Sequence, residues 1–186
     1  MPPRFGDTDV WDFNGVVRKA PNGASANMRA HFRGLPPQWN LLGRELAMIW
    51  FNPRHPAVLA RGLHLPAKLH SPVTVGQRVG HLRALAAFGR DHQLPETLAS
   101  WAEDDFRHYV SLRCQSGESA SALAHVFLIK TLHRFRRCLA SGGLNRDPWP
   151  GQTCVLDICS RRVLGYSMAS HMRAELVIDA LPEREI

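Results

Sequence analysis

The stretch T-V-G-Q-R-V-G-H-L-R-A-L-A-A-F-G-R, Thr74 to Arg90, decides the fold class. Val75, Val79, Leu82 and Ala86 recur at helical spacing, so one face is apolar and must be covered by other elements. Thr74 and Gln77 stand three apart, as the partners of a capping box that starts a helix do. Arg78, His81 and Arg83 are the polar members and spread over a wide arc.

Outward from this helix the same grammar continues. On the C-terminal side a second box, Ser100-Trp-Ala-Glu103, opens a helix with Phe106, Tyr109 and Val110 on one side. Asp104 and Asp105 fall in its first turn, where acids complement the helix dipole. The longest predicted helix follows, about 119–140, ended by Gly142 and Gly143. On the N-terminal side W-N-L-L-G-R-E-L-A-M-I-W-F carries Trp39, Leu42, Leu46 and Trp50 as a stripe. Pro53 and Pro56 interrupt it, and A-V-L-A-R-G-L makes a further short helix. Residues 1–35 are rich in Pro, Gly and Asn with sparse apolar residues, and are expected to be a poorly ordered arm. Trp39, Trp50, Trp101 and Trp149 are expected at the core or at helix junctions.

After Gly151 the pattern changes. Thr153–Ile158 and Val163–Met168 are β-branched or apolar runs around an S-R-R turn, the mark of a hairpin. A helix over about 173–181 completes the tail. The expected fold is mainly α: an arm (1–35), a helical domain (36–150) and a hairpin-plus-helix fragment (151–186) too small to bury a core alone.

Charge separates the regions. The 186 residues carry 23 Lys and Arg against 16 Asp and Glu, net +7, with pI about 9.9. Residues 151–186 hold four Arg and five acids, leaving 19 basic and 11 acidic side chains in residues 1–150. A basic helical domain suits a polyanionic partner. On the longest helix Lys130, His133, Arg134 and Arg137 fall at i, i+3, i+4 and i+7, opposite Leu128, Leu132, Phe135 and Leu139. That cationic stripe would run about 10 Å at ~1.5 Å per residue, enough to meet successive phosphates or enter a major groove.

No catalytic constellation assembles. Tyr109 and Tyr166 lack a cluster of cations around them, and there is no phosphate-cradling glycine loop. Cys114, Cys138, Cys154 and Cys159 follow no metal-binding spacing, so no metal and no cofactor is expected. No apolar run approaches the ~20 residues of a membrane span, and the N-terminus has no signal-peptide layout. A cytoplasmic, nucleoid-associated protein is expected.

Two resemblances add to this. Residues 71–151 resemble the core-binding, SAM-like helical bundle of tyrosine recombinases, the phage-integrase class of bacterial mobile elements. The residues that carry it are Thr74–Leu94, L-A-S-W-A-E-D-D-F-R-H-Y-V, I-K-T-L-H-R-F-R-R-C-L-A-S-G-G-L and the exit N-R-D-P-W-P-G. The section before them looks like the N-terminal extension of such proteins. This resemblance implies duplex-DNA binding through the Thr74 helix and the longest helix, with Arg78, His81, Arg83, Lys130, His133, Arg134 and Arg137 as contacts.

From about Cys154 to Leu181, V-L-D-I-C-S-R-R-V-L-G-Y-S-M and A-E-L-V-I-D-A-L resemble an internal piece of an insertion-sequence transposase with a retroviral-integrase-like core. Asp157, Glu175 and Asp179 match positions outside that family's catalytic acids, and the recombinase chemistry would lie in a separate domain. Together the resemblances imply a DNA-binding remnant of recombination and integration machinery without a complete catalytic site. The alternatives are an integrase or transposase subunit active only with a partner chain, such as a full-length recombinase or transposase, and a non-functional pseudogene product.

Overall fold

A computed structural model describes residues 8–15, 28–62, 70–115, 119–149, 152–156 and 163–168. The fold is mainly α, with five helices and two small antiparallel hairpin sheets among the described residues. The chain divides into two compact units, Met1–Trp101 with Thr131–Asn145, and Ala102–Lys130 with Arg146–Ile186. The division falls inside the expected helical domain and not at its end.

The first unit begins with a correction. Residues 8–15 and 28–35 are not a loose arm: β1 (Val10–Asp12) and β2 (Arg29–His31) pair antiparallel, with Trp11 opposite Ala30. Burial drives this pairing. Trp11, Ala30 and Phe32 are at most 1% exposed, and the Trp11 and Phe32 rings meet edge-on at 4.8 Å. Polar groups then fasten the sheet. Arg44 donates to Asp9 Oδ1 at 2.7 Å and to Asn40 Oδ1 at 2.7 Å, and Asn40 donates to the Phe32 carbonyl. The hydrogen bond from Asn40, then that from Arg44, lowers the Asp9 carboxyl below its usual range. Hydrogen bonds from Asn14 and then Arg29 bring Asp12 down to about 2.

Helix α1 (Pro37–Phe51) buries Trp39, Leu42, Leu46 and Trp50, the expected stripe. It ends at Asn52, before Pro53, and α2 (Pro56–Leu59) follows. Helix α3 (Pro72–Asp91) is the centre of this unit and packs on both α1 and β2. Its cap is Ser71, not Thr74: the Ser71 hydroxyl accepts the Thr74 amide at 3.2 Å. Pro72 at the first helical position needs no amide partner, which permits this earlier start. Gly76 lets β2 lie close, since a Cβ there would stand 2.5 Å from the Arg29 carbonyl oxygen.

In the second unit α4 (Glu103–Gln115) starts later than the Ser100 box implies. Residues Leu98–Ser100 instead form a 3-10 turn, and the Asp105 carboxylate accepts the Ala102 amide at 2.8 Å. Phe106 and Tyr109 are buried, and Tyr109 Oη lies 2.7 Å from Nδ1 of the buried His125. Helix α5 (Ser119–Arg134) contributes residues to both units. Strands β3 (Gln152–Leu156) and β4 (Val163–Met168) pair antiparallel with an irregularity at Val155/Leu156, the expected hairpin. The tail helix over about 173–181, and Asp157, Glu175 and Asp179, lie outside the described residues.

Candidate nucleic-acid interface

Arg78 and Arg83 of α3 make contacts within the fold. The Arg78 guanidinium lies over the Trp50 ring, 4.9 Å from its centroid, with Nη1 3.3 Å from His70 Nε2. Burial lowers its pKa from the ordinary arginine value. Arg83 Nη2 donates to the carbonyls of His31 at 2.5 Å and Arg33 at 3.4 Å, closing the end of β2. His81 is half-buried on the same helix.

The stripe expected on α5 is divided. In the second unit Lys130 Nζ donates to the Trp149 carbonyl at 3.3 Å and lies 4.0 Å from Asp147. It thus holds the D-P-W turn. In the first unit the helix stops at Arg134, six residues earlier than expected. Phe135 N still bonds back four residues to Thr131, but Cys138 N bonds back only three, to Phe135, so the backbone tightens into a turn. The reversal that follows needs Gly142 at φ +86°. It also needs Gly143, where a Cβ would meet the Leu132 carbonyl oxygen at 2.6 Å. Arg136 donates to the His133 carbonyl at 2.8 Å, satisfying a helix-end acceptor. His133 is half-buried, Arg134 is the last helical residue and exposed, and Arg137 is exposed beyond the helix end.

Arg137 acquires a neighbour that sequence reasoning missed. Arg61, exposed just after α2, donates Nη1 to the Arg137 carbonyl at 2.6 Å across 76 residues of sequence. The two segments it joins share a property visible in the chain. Residues 46–90 carry six Lys or Arg and no acid, and residues 119–146 carry five and no acid. That pattern was the available signal, but only the fold brings Arg61 and Arg137 together.

Among the described residues, Arg61, Arg136 and Arg137 form no ion pair. Glu45 of α1 accepts the amides of Ala140 and Ser141 at 3.0 and 3.2 Å, and the Ser141 hydroxyl. Burial pushes the Cys138 thiol up, with Arg61 opposing in part, so a neutral thiol lies beside the cation. Arg134 and Arg136 also complement the α5 dipole at its C-terminus. Arg61 belongs to another element and has no such role.

Tyr109, a nucleophile by residue type, is only 2% exposed and hydrogen-bonded to His125. Asp104 pairs with Arg107 at 3.1 Å in the first turn of α4, as a helix-end acid does. Among the described residues no helix is long and apolar enough to cross a membrane. No protein-family model, no curated protein and no solved structure matches the chain.

Proposed function

We propose that the chain binds duplex DNA, without catalysis of its own, through the basic surface where Arg61 meets the end of α5. The observation that carries this is the Arg61–Arg137 hydrogen bond, which brings together two exposed arginines that form no ion pair among the described residues. Arg134 and Arg137 remain as contacts expected from the sequence, and Arg61 joins them. Arg78, Arg83 and Lys130 are assigned to holding the fold. The resemblances to recombinase and transposase segments favour a role in mobile-element recombination, on DNA that a full-length recombinase or transposase would also engage.

The test is fluorescence anisotropy on a labelled duplex of about 30 base pairs at ~50 and ~200 mM salt. Three phosphate contacts would weaken binding roughly 40-fold between the two conditions. No retention at the lower salt would contradict the proposal.

A further inference from the structure

We infer that Glu45, although acidic, supports DNA binding: it is a positioning residue that holds the turn on which Arg137 stands, and the inference rests on the DNA-binding reading above. Charge alone would predict the reverse, because a carboxylate repels phosphates and its removal should strengthen binding. The hydrogen bonds around the turn point the other way.

Arg137 lies in the reversal that follows α5, between the buried Phe135 and Leu139. Side chains from two other segments of the first unit reach this reversal. Arg61, after α2, donates to the Arg137 carbonyl at 2.6 Å. Glu45, on α1, engages both of its oxygens. Oε1 accepts the Ala140 amide at 3.0 Å, and Oε2 accepts the Ser141 amide at 3.2 Å and the Ser141 hydroxyl at 2.5 Å.

A carboxylate suits this task because it is an acceptor only, with two oxygens for several donors. Hydrogen bonds to an ionised acceptor are also roughly twice as strong as neutral ones. Three of them on one half-buried side chain fix two consecutive residues of the turn, beginning three positions after Arg137. The base is firm, since Glu45 stands between the buried Arg44 and Leu46. The turn is thus set before a partner arrives, and with it the carbonyl that orients Arg61. Without the carboxylate this ordering would have to occur on binding, at a loss of roughly two- to tenfold in affinity per side chain ordered.

The test titrates the full chain, Glu45→Ala and Glu45→Gln against one duplex of about 30 base pairs over a salt series, at a temperature where the variants are folded. Both variants lose the same charge, but Gln keeps an oxygen that can accept from the turn. Glu45→Ala is expected to bind roughly two- to tenfold more weakly than the parent chain, with a shallower salt slope, and Glu45→Gln to recover part of both. A role in folding alone would leave the slope of a folded variant unchanged. In an Arg137→Ala background Glu45→Ala should have little further effect, because the two changes remove the same contact. Parental or tighter binding by Glu45→Ala would overturn this inference while leaving DNA binding intact, and so would losses that simply add in the double variant. If Glu45→Ala does not fold, Glu45→Gln decides: weaker binding than the parent supports the positioning role, and tighter binding overturns it. Failure of the parent chain to bind at ~50 mM salt would overturn the DNA-binding reading itself, and this inference with it.

Discussion

Helix α3 and the turn after α5 carry the same residue type to opposite ends. Arg78 and Arg83 of α3 are consumed by the fold, one on the Trp50 ring and the other on the open carbonyls of β2. Arg137, beyond α5, keeps its side chain exposed and engages Arg61 only through its backbone carbonyl. The difference is one of surroundings. A helix covered on several sides must satisfy its cations internally, because a buried unpaired charge is costly. A turn at the edge of a unit has water for that purpose. Position in the fold, and not charge count, separates arginines available to a partner from those that are not.

Substitutions on the α3 side should act on stability. The largest effect is expected for Gly76→Ala, whose new Cβ must push back the β2 backbone at Arg29. Overpacking against a backbone atom should cost about 2 kcal/mol, measured by chemical denaturation. Arg78→Ala removes a half-buried cation–π contact and should cost roughly 1–2 kcal/mol. Arg83→Ala leaves two strand-end carbonyls without their donor and should cost about 1 kcal/mol. A large fall in DNA affinity for either folded arginine variant would break the contrast between the two regions.

On the other side, Arg61→Ala with Arg137→Ala should change unfolding free energy by less than about 0.5 kcal/mol, because both side chains are exposed. The smallest effect concerns the sheet that α3 supports. Asp12 has its carboxyl lowered to about 2, from an ordinary 3.8, by Asn14 and Arg29. A depressed folded-state value contributes stability above the ordinary value, and that contribution is lost as pH falls through about 2. Asp12→Asn should therefore melt slightly below the parent chain at about pH 5, with the gap closing towards about pH 2. A gap that widens with acid would contradict the role given to this carboxylate.

The sequence announced the helices through the residues they bury. Trp39, Leu46 and Trp50 of α1, Val75, Val79 and Leu82 of α3, and Leu128 and Leu132 of α5 recur at helical spacing and are all buried. The hairpin after Gly151 was visible as two β-branched or apolar runs around a polar turn. The sheet of β1 and β2 was not. Its strands are three residues each, too short for alternation to register, and are held by Trp11 and Phe32 against partners distant in sequence.

The candidate site divides in the same manner. Arg134 and Arg137 followed from helical spacing, although Arg137 lies past the helix end. The spacing could not show that Gly142 and Gly143 serve a reversal starting at Phe135 and not a helix reaching Ala140. Arg61 was invisible for a deeper reason. Its role depends on a contact across 76 residues, and no local pattern encodes such a contact.

The most direct test is a matched pair of single substitutions, Arg137→Ala and Arg83→Ala, which remove the same charge from the two regions. Each would be titrated against one duplex of about 30 base pairs over a salt series, at a temperature where both remain folded. The account predicts that Arg137→Ala reduces the salt slope by about one and weakens binding, while Arg83→Ala leaves slope and affinity at parental values. Equal losses from both variants would show that only net charge matters, and a loss confined to Arg83→Ala would place the DNA on α3; either result would contradict the assignment made to Arg61 and Arg137.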